Sequence, residues 1–95
     1  MLSISGSSFF GNDVNADFSN GGAVFHRNGT VVITDSEFSF NDAKGRVGDG
    51  GALYLTNASL EVTNSRFAFN GVAGELAVGG AIHAGGATTI TASVI

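Results

Sequence analysis

Short runs in which apolar and polar residues alternate are the main pattern of this chain. In the run Leu60–Val62, apolar side chains flank Glu61, and the run Leu2–Ile4 has the same form around Ser3. Such alternation predicts strands with one buried face. An α-helix is disfavoured because no apolar stripe of helical period extends beyond a few positions, and each Gly of the frequent Gly-Gly pairs costs a helix about 1 kcal/mol.

The alternating runs belong to a repeat with a period of 29 residues. A string of aliphatic residue, Ser or Thr, any residue, Ser, any residue and Phe appears as "ISGSSF", "ITDSEF" and "VTNSRF", and a fourth copy, "ITASVI", requires a one-residue deletion before it. The recurring positions are Phe9, Phe38 and Phe67; Asn12, Asn41 and Asn70; and the triplets Gly21-Gly22-Ala23, Gly50-Gly51-Ala52 and Gly79-Gly80-Ala81. The repeat units are about 1–20, 21–49, 50–78 and 79–95.

Each repeat contains three candidate strands, which in the second repeat are Ala23 to His26, Val31 to Thr34 and Phe38 to Asn41. The eight residues between Asn and Gly-Gly vary between repeats, and we expect them to form a protruding loop. Strands that recur in identical columns predict an all-β, right-handed, single-stranded parallel β-helix, similar to that of pectate lyases. It would have about three coils, stacked about 4.8 Å apart.

Stacking assigns a packing role to each recurring column. We expect the Phe columns to fill the interior as an aromatic row, with Phe40 and Phe69 pointing the same way as Phe38. The Asn column is expected at a corner, where its amides form a ladder between coils. Gly-Gly is expected to make a tight corner, because Gly has no Cβ to restrict the turn.

The paired tetrapeptides resemble the repeats of the polymorphic outer membrane proteins, a family first described as chlamydial surface adhesins. "FFGN", "FSFN" and "FAFN" match the family's F-x-x-N, and "GGAV", "GGAL" and "GGAI" match its G-G-A-[ILV]. The resemblance implies an autotransporter. In such a protein, a β-helical passenger lies on the bacterial cell surface or is secreted, and a C-terminal β-barrel is embedded in the outer membrane. It also implies attachment to a host-cell surface protein or glycan through these tetrapeptides.

Composition narrows the class of function. A net charge of -4 argues against a nucleic-acid partner, which requires a basic face. The chain has no Cys, so it has neither disulfides nor a Cys-based metal site. The N-terminus does not have the pattern of a signal peptide, and no apolar run approaches the length of a transmembrane helix. We expect a single-domain fragment of a longer protein, uncapped at both ends, that reaches a membrane only through a barrel outside it.

The sequence offers weak candidates for catalysis. Asp13 and Asp42 fall in one column with Lys44 nearby, and paired carboxylates serve glycoside hydrolases and cation sites. Solvated loop residues are the plainer interpretation, and Gly71 interrupts the acidic column. Glu37 and Arg66 are expected to form a surface ion pair. The column Phe25, Tyr54 and His83 predicts a stacked surface row, whereas His26 lies in another column. We expect no catalytic residue, cofactor or metal.

Three functions follow in order of preference. The first is a fragment of an autotransporter-type adhesin passenger; the second is a fragment of a carbohydrate-active β-helix enzyme, a polysaccharide lyase or glycoside hydrolase; the third is a structural spacer.

Open strand edges and apolar ends predict that the isolated chain self-associates end to end. Analytical ultracentrifugation across a concentration series tests this expectation, and a stable monomer at high concentration would contradict it.

Overall fold

The computed structural model describes residues 1–74, 76–91, 93 and 95, with the backbone alone described at residues 76–78. The described chain is all-β, with strands and turns and no helix within these ranges. In the same ranges, no helix of a length and hydropathy suited to crossing a bilayer is found. The predicted all-β class is therefore confirmed.

The strands form four parallel sheets, named A to D in the order in which the chain enters them. Sheet A contains β1 (Leu2–Ser5), β5 (Val24–Thr34), β9 (Leu53–Thr63), β13 (Ile82–Ala84) and β14 (Thr88–Thr91); sheet B contains β2 (Ser8–Phe10), β6 (Glu37–Ser39) and β10 (Arg66–Ala68); sheet C contains β3 (Asp13–Asn15), β7 (Asp42–Lys44) and β11 (Gly71–Ala73); sheet D contains β4 (Phe18–Asn20), β8 (Val47–Asp49) and β12 (Leu76–Val78).

The pairing register follows the sequence period. Phe9 pairs with Phe38, and Phe38 pairs with Phe67, each 29 residues further along the chain. The same offset relates neighbouring strands in sheets C and D and most of sheet A. Strand β14 is the exception, because Ile90 pairs with Val62 at an offset of 28. The deletion predicted before the fourth copy is thus confirmed.

Two of the predicted strands are one continuous strand. The segments expected at Ala23 to His26 and Val31 to Thr34 join in β5, and β9 repeats this arrangement. Between the two halves, Asn28 and Asn57 adopt left-handed backbone conformations with φ of 62° and 52°. Asn tolerates this conformation better than most residues, so the chain makes a local kink there without ending the strand.

The predicted loop between Asn and Gly-Gly is wrong, since these residues form β7 and β8 in the second repeat. Their side chains vary between repeats, but the segment has the same length of eight residues in each one. Equal length keeps the backbone groups in register, and backbone hydrogen bonds form regardless of side chain. The inward positions are also small or apolar, as at Ala43, Gly48 and Ser19, all of which are buried.

The core lies between the sheets and is built from the repeated apolar columns. Sheet A contributes the fully buried side chains Val31, Ile33, Leu53, Leu55 and Val62, and Leu60 is almost fully buried. Sheet B contributes the Phe column, in which the rings of Phe9, Phe38 and Phe67 stack with centroids 4.6 Å apart and planes 4° from parallel. Stacking of aromatic rings adds about 0.5–1.5 kcal/mol per pair beyond the burial of area.

The predicted Asn ladder is present at the corner between sheets B and C. Asn12 Nδ2 donates to Asn41 Oδ1 at 2.9 Å, and Asn41 Nδ2 donates to Asn70 Oδ1 at 3.0 Å. Each Oδ1 also accepts from the backbone N–H of the preceding Asn in the column. The corner's buried polar groups are therefore satisfied by side chains 29 residues apart in the sequence.

The Gly-Gly pair makes the corner between sheets D and A. Gly50 is buried and has a φ of 62°, which a residue with a Cβ adopts only at a cost. Gly51 lies against the next repeat, where a Cβ would collide with the carbonyl oxygen of Gly80. The first Gly thus supplies a backbone conformation, and the second allows close contact between repeats.

The inward orientation predicted for Phe40 and Phe69 is wrong. The Phe40 side chain is 48% exposed and that of Phe69 is 72% exposed, whereas Phe38 is fully buried. Both exposed residues have a φ of 56°, in the left-handed region. This conformation turns the chain at the end of sheet B, so the alternation that extends through Ser39 stops before Phe40.

Candidate functional site

The residues that carry the second copy of the repeat motif lie inside the molecule. Phe38, Asn41 and Ala52 have no exposed surface, and Gly50 and Gly51 are also buried. Phe9 and Asn12, in the first repeat, retain partial or greater exposure. A buried side chain is inaccessible to a partner, so the motif residues of the second copy contribute to packing and do not form a binding surface.

The candidate acidic pair is brought together as predicted, with a lysine beside both carboxylates. Asp13 and Asp42 are paired residues in neighbouring strands of sheet C, and Lys44 Nζ lies 3.7 Å from a carboxylate oxygen of each. The side chains of Asp13 and Lys44 are about half exposed, and exposed ion pairs contribute at most about 1 kcal/mol. Among the described residues, no group of three or more acidic, His or Cys side chains is placed to hold a metal.

The predicted ion pair between Glu37 and Arg66 is wrong. The two residues pair in register in sheet B, as expected. However, Glu37 Oε1 accepts a hydrogen bond from Ser39 Oγ at 2.7 Å. The Ser39 hydroxyl lies two residues from Glu37 on the same strand, so the Glu37 carboxylate has a hydrogen-bond partner on its own strand instead of Arg66 on the neighbouring one. Within the described residues, Arg66 has no carboxylate at salt-bridge distance.

A groove of about 560 Å³ opens at the turn between sheets A and B. We call it the A–B groove; it is lined by Gly6, Ser7, Ser8, Asp35, Ser36, Glu37, Asn64, Ser65 and Arg66. It combines three matched positions from three repeats, so it runs along the stacking direction. This groove was not predicted from the sequence. The sequence pattern that marks it is a constant Ser, at Ser7, Ser36 and Ser65, with variable residues before and after the Ser.

The floor of the A–B groove is a column of serines that are already hydrogen-bonded. Each hydroxyl of Ser7, Ser36 and Ser65 donates to the carbonyl oxygen two residues earlier, at 2.8 to 2.9 Å. The hydroxyls of Ser36 and Ser65 also accept the backbone N–H of the Ser in the preceding repeat. The serines therefore hold the repeats in register, and the residues that vary line the groove's sides.

On one side of the groove, the matching position of each of three repeats has a left-handed backbone conformation. Gly6, Asp35 and Asn64 have φ values of 56°, 49° and 49°. Asn64 Nδ2 donates to Asp35 Oδ1 at 2.6 Å, and both side chains are exposed. Asp35 and Asn64 are therefore joined by a hydrogen bond between repeats.

A row of exposed phenylalanines lies at the opposite end of sheet B. We call it the Phe ridge; it consists of Phe10, Phe40 and Phe69. The Phe40 and Phe69 rings stack at 4.9 Å and 12°, whereas the Phe10 and Phe40 rings are 5.4 Å apart and tilted by 60°. Phe10 and Phe69 are about 70% exposed, at 69% and 72%. Contiguous exposed apolar surface of this kind is typical of interaction sites.

The predicted aromatic row on sheet A is present, but only its first pair is stacked. The rings of Phe25 and Tyr54 stack at 5.2 Å, whereas those of Tyr54 and His83 are 4.9 Å apart and tilted by 43°. His83 Nδ1 lies 3.8 Å from Asp49 Oδ1, at the corner between sheets D and A. His26 lies in a different column, where it pairs with the buried Leu55, so the two histidines are not neighbours.

No known family model matches the chain, and the searches of curated proteins and of solved structures found no match either.

Mutation of a buried phenylalanine should lower the stability of the fold much more than mutation of an exposed one. Phe38→Ala removes a fully buried ring from the stacked column, so unfolding should require about 3–5 kcal/mol less free energy. Phe40→Asn replaces an exposed ring by a residue suited to the left-handed conformation, and stability should change by less than about 1 kcal/mol. Urea unfolding followed by circular dichroism measures both. Equal losses for the two variants would contradict this assignment of inside and outside.

Proposed function

We propose that this chain is a segment of a right-handed parallel β-helix that serves as the passenger of an autotransporter-type adhesin, on the bacterial surface or secreted from it. Four parallel sheets, entered in the same order in each of the first three repeats, are compatible with such a solenoid. The resemblance of the tetrapeptides to the polymorphic outer membrane protein repeats supports the assignment to adhesion. The membrane connection would lie in a barrel outside this chain.

The observation that carries this proposal is the contrast between the inside and the outside of each repeat. Inside, the Phe and Asn columns keep the same residues in three repeats and are held by stacking and by an amide ladder. Outside, the positions along sheet B change from Ser8 to Glu37 to Arg66, while the Phe ridge stays exposed. A rigid interior that displays a variable and partly apolar exterior is suited to binding.

Two other functions are supported less well. An enzyme of the lyase or glycoside hydrolase type needs a pair of carboxylates free to act, but Lys44 lies 3.7 Å from both Asp13 and Asp42. A spacer without a ligand would be expected to have a polar surface, and three exposed Phe rings in one row do not fit that expectation. The partner we propose is a host-cell surface protein or glycan. The net charge of -4 disfavours nucleic acid.

A bead assay tests the proposal directly. Beads coated with the folded chain should adhere to cultured epithelial cells in greater number than beads coated with serum albumin. A matched variant, Phe40→Asn with Phe69→Asn, should keep the circular dichroism spectrum and lose most of the excess adhesion. Adhesion equal to that of albumin would contradict the adhesin proposal. Depolymerisation of polygalacturonate or a similar polymer by the chain would instead favour the enzyme.

A further inference from the structure

We infer that the outer face of sheet B, together with the A–B groove and the Phe ridge on either side of it, binds a neutral, extended oligosaccharide. This inference rests on the proposed function and names the class of ligand. It follows from the position of the two surfaces, from an unusual backbone conformation and from the charges in the groove.

The groove and the ridge are two sides of one continuous surface. Strand β6 is three residues long, with Glu37 beside the groove and Ser39 immediately before Phe40. The Glu37 carboxylate accepts a hydrogen bond from Ser39, and Ser39 pairs with Phe10, a member of the ridge. A ligand lying across sheet B would therefore contact polar groups at one edge and aromatic rings at the other.

The backbone under the ridge is the second observation. Of the described residues other than Gly that have positive φ, four are Asn or Asp, the types that tolerate this conformation, and the other two are Phe40 and Phe69. At the equivalent corner of the first repeat the chain has Gly11, and the ridge is continued there by the neighbouring Phe10. Exposed rings on a disfavoured backbone add little to folding, and such outliers concentrate at functional sites.

The groove offers the hydrogen-bonding groups that sugar hydroxyls require. The carboxylates of Asp35 and Glu37 accept hydrogen bonds, while the amide of Asn64 and the guanidinium of Arg66 donate them. Each Ser hydroxyl of the floor uses its only hydrogen on a backbone carbonyl. Asn64 Nδ2 uses one of its two hydrogens on Asp35, and Glu37 uses one carboxylate oxygen for Ser39, so both retain groups for a ligand, as does the Arg66 guanidinium. The exposed rings of the Phe ridge on the opposite side of sheet B complete the pattern, because a sugar ring has an apolar face as well as hydroxyls.

Charge and direction define the ligand more closely. The groove contains two carboxylates and one guanidinium, and the whole chain carries -4, so an anionic saccharide is repelled where a neutral one is not. Both the groove and the ridge extend over three repeats. A saccharide that lies across sheet B contacts the groove at one end and the ridge at the other.

Isothermal titration calorimetry with defined hexasaccharides tests the inference. We expect the folded chain to bind at least one of cellohexaose, chitohexaose and mannohexaose, and to bind hexagalacturonate at least about tenfold more weakly. Arg66→Gln and Phe69→Asn should each weaken the neutral complex by about tenfold. The matched controls Arg27→Gln and Phe18→Asn change an exposed Arg and an exposed Phe outside sheet B, so they should leave affinity within twofold.

Three outcomes would overturn the inference. These are no binding of any neutral hexasaccharide at millimolar concentration, stronger binding of hexagalacturonate, and equal effects of the sheet B variants and their controls. If beads coated with the chain still adhere to cells while no hexasaccharide binds, the oligosaccharide inference fails, and adhesion through a protein partner stands. Loss of bead adhesion together with retained saccharide binding would instead contradict the cell-attachment function alone.

Discussion

The side-chain amide of Asn41 is the point at which the repeats are held in register. It donates to Asn70 Oδ1 and to the carbonyl oxygen of Phe9, and it accepts from both nitrogens of Asn12. All three repeats therefore meet at one buried group. A slip of one residue would leave these polar atoms unsatisfied in the interior, at a cost of about 1–3 kcal/mol each, and would turn inward-facing side chains outward. The Phe stack, the Ser column and the Gly corner all depend on the same alignment.

This alignment separates two kinds of sequence position. Interior columns are restricted by a neighbour of the same type, so Phe stacks on Phe and Asn bonds to Asn. Exterior positions meet solvent, and their residues change from repeat to repeat without disturbing the ladder. The A–B groove and the Phe ridge are built from these freer positions. The fold therefore supplies a rigid frame, and the surface on sheet B supplies the chemistry that we propose for recognition.

The repeat period made much of the fold predictable. Identical spacing of Phe, Asn and Gly-Gly predicted the columns, the parallel register, the amide ladder and the deletion before Ile90. Other features were not predicted, because the alternation of apolar and polar residues reports where side chains point and does not report backbone conformation. The segment 42–49 forms strands through main-chain hydrogen bonds that leave little trace in its variable side chains. Phe40 was misassigned because alternation gives no sign of a left-handed residue. The A–B groove is lined by residues from three repeats, so it cannot be predicted from any single sequence motif.

A double-mutant cycle between Asn41 and Asn70 tests the account most directly. Both single changes to Ala and the double change are measured by urea unfolding, with Asn15, an exposed residue of sheet C, as the second member of a control cycle. Direct bonding between the two amides predicts a coupling free energy of about 1–2 kcal/mol for Asn41 with Asn70, and additivity within about 0.5 kcal/mol for Asn41 with Asn15. Additivity in both cycles would show that the amides do not join the repeats, and would contradict the stacked arrangement.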